Sequence, residues 1–144
     1  MTHDDLVKRA ERWLKNTLRC RVVLCELVAY TTCGEIPDAI GWVGQHSVLV
    51  ECKTSRSDFL AEQRKFFRDP YYHDKTCGDW RFFLTPPGLV TEQDVPDGWG
   101  VYEVRGKTVR HVAGLKYANG SFPPFSAGKD SEVALLVSAL SRRG

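Results

Sequence analysis

No two cysteines in this sequence stand at the CxxC spacing of a metal knuckle. The five that are present (Cys20, Cys25, Cys33, Cys52 and Cys77) are odd in number and have no histidine cluster beside them. That pattern argues against a disulfide framework and against a structural zinc site. Long apolar runs are also lacking: the aliphatic stretch from Val133 to Val137 is far short of the roughly 20 residues that span a bilayer. Residues 1–21 carry six basic and three acidic side chains and no apolar core, unlike a secretory signal. There is little excess of either charge, 20 Lys and Arg against 18 Asp and Glu, so composition alone does not call for a polyanionic partner. The expectation is a soluble cytoplasmic protein with reduced thiols and no membrane partner.

What is present is enough for a core. Apolar residues make up 42% of 144 positions, which fits a single domain over residues 1–144 without internal repeats or low-complexity tracts. Leu6, Ala10, Trp13, Leu14 and Leu18 recur at three- and four-residue spacings and predict a helix over 3–19, with Thr2 as its cap. Strands are predicted over 21–30, 35–42 and 47–53, the last nearly continuous in apolar residues and so buried on both faces. The second and third are close enough to pair as a hairpin. A second helix is expected over 55–68, a strand over 80–84, a hairpin over 100–112 and a final helix over 130–142. The sum is an α/β arrangement, a mixed sheet flanked by helices.

The chemistry concentrates between Glu35 and Phe67. Residues two apart on a strand share a face, so Glu51 and Lys53 project together from the end of an apolar strand. If the two central strands pair, Asp38 lies beside Glu51. Two carboxylates and an ammonium in one place suit metal-dependent phosphodiester hydrolysis. Asp38, Glu51 and the Cys52 carbonyl offer the hard oxygens that Mg²⁺ takes. Lys53 orients water or neutralises charge developing on the phosphate. The competing reading is a solvated strand end with a weak Glu51–Lys53 surface pair.

Pro37-Asp38 followed after twelve residues by Glu51-Cys52-Lys53 resembles the signature of the PD-(D/E)xK nuclease superfamily. The run from Glu51 to Phe59, then Arg64-Lys65, Arg81-Phe82-Phe83 and Pro86-Pro87-Gly88, is similar to the MmcB-like DNA-repair branch, with relatives in phages and mobile elements. The resemblance implies a restriction-endonuclease-like αβββαβ core. It implies Asp38 and Glu51 as ligands of Mg²⁺ or Mn²⁺ and Lys53 as the catalytic lysine. It brings in Glu11 as the helical acid that many members add, with Glu26 as another candidate. In the helix after the lysine strand it points to Arg56, Gln63 and Lys65 as contacts to nucleic acid. DNA is the expected partner, with RNA a substrate the same group would serve, and a homodimer is an arrangement the superfamily uses when both strands are cut. A non-cleaving nucleic-acid-binding, inhibitor or recruitment protein on the same fold is the alternative.

Three further readings bear on the surface. His73, in a loop with Tyr71 and Tyr72, is a candidate general base, although a lone loop histidine more often is not one. His3, His46 and His111 carry no signal. The segment 85–103 holds Glu92, Asp94, Asp97 and Glu103 without a Lys or Arg, so that surface should face away from a polyanion, and DNA should approach the basic first helix and residues 53–81.

Overall fold

The structure, a computed structural model, describes residues 1–27, 29 and 34–143, the last by its backbone. Cys33 and the far end of the first expected strand, at Tyr30, lie outside the described residues. Among the described residues, three α-helices and one six-stranded sheet make up the fold. The helices are α1 (His3–Asn16), α2 (Arg56–Gln63) and α3 (Lys129–Arg143). The strands are β1 (Val22–Cys25), β2 (Ala39–Val43), β3 (His46–Cys52), β4 (Trp80–Thr85), β5 (Trp99–Arg105) and β6 (Thr108–Gly114), and they lie in the sheet in chain order. β1, β2 and β3 are antiparallel neighbours, β4 and β5 run parallel to β3, and β6 returns antiparallel. The result is a mixed α/β architecture, as the patterning predicts.

Local chemistry accounts for the boundaries. Thr2 and Asp5 cap each other's backbone N–H at the start of α1. Leu6, Ala10, Trp13 and Leu14 bury one stripe of that helix against Val48, Val50, Phe82, Leu84 and Tyr102 on one sheet face. The opposite face receives Phe59 of α2 on Leu49, Phe83, Trp99 and Val101, and Leu135 of α3 on Ile40. Gly44, with φ of 59°, makes the tight β2–β3 turn that sets Val43 opposite His46. β1 is shorter than expected because Glu26 turns out of the strand at φ 50°. α2 is shorter too: after Gln63 the chain continues through 3₁₀ turns at Phe66–Arg68 and Pro70–Tyr72. Arg64 and Arg68 are therefore not the helical pair that the longer helix predicts. No helix among the described residues is long and apolar enough to cross a membrane.

Candidate active site

The β2–β3 register decides where the acids meet. Ala39 pairs with Val50, so one step back Asp38 faces Glu51. Asp38 sits just before β2, not within it as the sequence pattern predicts. Its Oδ2 accepts the Cys52 N–H at 2.8 Å, which pins the carboxylate to the end of β3. Glu51 and Lys53 both leave β3 towards α2. A cleft of about 280 Å³ opens at this sheet end and is lined by Asp38, Glu51, Cys52, Lys53, Glu62 and Lys65, with His3 at its edge. Asp38, Glu51, Cys52 and Lys53 are thus brought together in one cleft, and Lys65, expected as a nucleic-acid contact, lines it too.

Beneath the cleft lies a cluster of buried charge. Glu51 is 4% exposed, Lys53 9% and Glu62 1%. Lys53 Nζ reaches Glu62 Oε1 at 2.7 Å, and Lys65 Nζ reaches the same oxygen at 2.9 Å. Arg68 takes the other side: its Nε donates to Glu62 Oε2 at 2.8 Å, and its Nη2 lies 2.6 Å from Glu35 and 3.4 Å from Glu51. The Phe67 and Trp99 rings lie against the same guanidinium, at 4.9 Å and 5.0 Å.

These contacts separate the titrating groups. Burial raises the Glu51 carboxyl well above its usual range, and the negative charges of Asp38 and Glu62 raise it further, against the pull of Arg68. Burial would raise Glu62 as well, but Arg68, Lys53 and Lys65 outweigh it and hold Glu62 at about 2. Burial works against the Lys53 ammonium, yet the hydrogen bond and charge of Glu62 keep its pKa raised. The Cys52 thiol, buried and beside Asp38 and Glu51, is pushed up and stays neutral.

The other candidates lie elsewhere. Glu11 is eight residues along α1 from His3, about 12 Å down the axis; it pairs with Lys15 at 3.4 Å and does not line the cleft. Glu26 is not a buried strand residue: its side chain is half-exposed and touches His3 Nε2 at 2.9 Å. Its N–H donates to the Pro37 and Asp38 carbonyls. His3 Nε2 lies 3.5 Å from Asp38 Oδ1, so His3, Glu26 and Asp38 form a second convergent group at the cleft mouth. Arg56 and Gln63 point away from the cleft. Arg56 holds Asp94 through two hydrogen bonds of 2.8 and 2.9 Å, and Gln63 Nε2 reaches the Asp94 carbonyl at 3.5 Å. The acidic segment 85–103 therefore folds against α2, which the sequence reading set on DNA's side. His73 packs against Phe125 and lines a second cavity with Arg68 and Arg81; it does not line the cleft that holds Asp38, Glu51 and Lys53.

Sequence reasoning did not single out Glu35, Glu62 or Arg68 as site residues. The available signal was Phe59, three residues before Glu62 and so on the same buried helix face. Nothing local marks Glu35, or His3 at the mouth of the cleft.

No family model matches the chain, and no curated protein matches it. Among solved structures, it is similar to the SPO1766 protein of unknown function from Silicibacter pomeroyi, with 18% identity and a TM-score of 0.60. That likeness covers 99% of this chain and 90% of the other, and at this identity it is a likeness of fold: a mixed six-stranded sheet with three helices.

Proposed function

We propose that the chain is a metal-dependent nuclease that hydrolyses DNA phosphodiester bonds on a restriction-endonuclease-like core. The observation that carries this reading is the convergence of Asp38, Glu51 and Lys53 on one cleft at the end of β2 and β3. The order α1-β1-β2-β3-α2-β4, with β4 parallel to β3, supports the core assignment.

The donor set fits Mg²⁺ or Mn²⁺. Asp38 and Glu51 face each other as carboxylates in a site whose burial and mutual repulsion a divalent cation would relieve, and the Cys52 carbonyl belongs to the same strand end. When bound, the cation polarises the phosphate and acidifies a bound water. The chain's own groups do the rest. Asp38 is oriented by the Cys52 N–H, so its Oδ1 is the oxygen left to face the cleft. Lys53, kept charged by Glu62, acts as a fixed cation that neutralises the developing negative charge on the phosphate, not as a base. Glu62 and Arg68 position Lys53 and Glu51 without touching substrate.

One observation favours the non-cleaving alternative: Lys53 and Glu51 already have protein partners, so the charges would serve the fold alone in a binding protein. The experiment is cleavage of labelled single-stranded, double-stranded and branched DNA, and of RNA, with Mg²⁺ or Mn²⁺. Lys53→Ala should slow the wild-type rate by about 100-fold or more while the fold and DNA binding persist. Absence of cleavage by folded wild type, together with no calorimetric metal binding that Asp38→Asn removes, would favour the binding protein.

A further inference from the structure

On the α1 face of the sheet, between α1 and β6, two cavities of about 340 and 500 Å³ share Trp13, Thr17 and Val109 and so form one continuous groove. Arg9, Arg12, Lys107, Arg110 and Lys116 line it, with Asn16 and Thr17 as neutral donors, and no carboxylate lines either cavity. Arg9, Arg12 and Asn16 are spaced i, i+3 and i+7, which sets them in one stripe along the helix. Arg9 is held in place by the β5–β6 turn, donating to the Gly106 carbonyl at 2.8 Å. Among the described residues, none of these five cations has a carboxylate within ion-pair distance. By contrast, Lys53, Arg56, Lys65, Arg68 and Lys129 are each paired with a carboxylate.

We infer that this groove holds the phosphate backbone of a nucleic acid, extending the grip of the protein beyond the cleft. The inference rests on the nuclease reading for its choice of polyanion. A row of unmatched like charges repels itself and contributes nothing to the fold, but it is relieved by a linear polyanion that sheds counterions on binding. The recessed, elongated shape fits a strand better than a flat anionic membrane. The row also accounts for binding in which Arg56 and Gln63 take no part, since both are committed to Asp94.

The test measures affinity for a labelled DNA duplex and single strand in EDTA, across a salt series, so that cleavage does not enter. The variants are Arg12→Glu with Lys116→Glu, one in each half of the groove and both at exposed positions. Their control is Lys75→Glu with Arg64→Glu, the same change in net charge outside the groove. The groove pair should weaken binding at least about tenfold at 0.1 M salt and lower the slope of log K against log salt by about 2. The control pair should do neither. Equal effects from both pairs, or an unchanged slope in folded groove variants, would overturn the groove. So would wild-type binding to phosphatidylserine vesicles in preference to DNA and RNA. Wild type that binds DNA through the groove and cleaves nothing would keep the groove and remove the nuclease reading; wild type that cleaves, with groove variants unimpaired in binding, would do the reverse.

Discussion

Arg68 and Arg12 show the two ways this chain treats a guanidinium. Arg68 is buried among Glu35, Glu51 and Glu62 and between two aromatic rings, while Arg12 stands exposed on α1 beside other cations. The contrast extends over both faces of the sheet. In the cluster on the α2 side Glu51, Glu62 and Arg68 are desolvated, so each must be matched or the fold is penalised. On the α1–β6 side the cations are hydrated, so they can remain unmatched at little cost to stability and are free to meet a partner. A net charge of +2 conceals this division, because a sum does not record which charges are paired.

The largest effect expected from breaking the contrast is on stability. Arg68→Met removes the cation and leaves three carboxylates facing one another, which should cost about 3–5 kcal/mol. Arg12→Met should change stability by less than about 0.5 kcal/mol. Urea unfolding of the two variants checks this, and equal midpoints would show that the buried cluster is not matched as described.

Acid should loosen the same side. Despite burial, Arg68, Lys53 and Lys65 hold the Glu62 carboxyl at about 2 in the folded protein, against 4.5 for the free side chain. Its stabilising contribution is therefore complete above about pH 4.5 and lost as pH falls towards 2, on the order of 2–3 kcal/mol in all. Glu51 has the opposite sign: its raised pKa means that stability is lost as pH rises through that value. Urea midpoints of wild type and Glu62→Gln should converge as pH drops from 5 to 3 (roughly the window between the two pKa values of Glu62). A gap that stays constant would remove Glu62 from the role assigned to it.

How much of this was legible beforehand follows the same division. Periodicity revealed α1, whose apolar stripe buries against the sheet, and a nearly continuous apolar run revealed β3, which is buried on both faces. The Asp38–Glu51–Lys53 grouping was legible because strand alternation and a short hairpin are local rules. The ion cluster was not: Glu35, Glu62 and Arg68 meet only after α2 stops at Gln63 and the 3₁₀ turn swings Arg68 inward. The groove was legible only as a basic helix; which cations remain unmatched depends on tertiary pairing, such as that of Arg56 with Asp94.

Metal affinity gives a smaller effect that links the cleft to its buried support. Glu51 must lose its proton to act as a ligand, so Mn²⁺ affinity should rise with pH above the usual carboxylate range. Asp38→Asn should weaken binding roughly tenfold or more by removing one ligand charge. Calorimetry at several pH values checks both, and an affinity independent of pH and of Asp38 would place any metal elsewhere.

The smallest effect should come from Arg56→Ala. Position and charge make Arg56 look like a phosphate contact at the start of α2, directly after the Lys53 strand. Its guanidinium instead bridges to Asp94, and that pairing raises the Arg56 pKa and lowers that of Asp94. Removing it frees one carboxylate on a surface that a polyanion would already avoid, so DNA affinity should hardly change and the salt slope should stay within error of wild type. A fall in slope by about one unit would mean that Arg56 releases Asp94 to bind phosphate. The division between a matched face and a receptive one would then describe the free protein but not the complex.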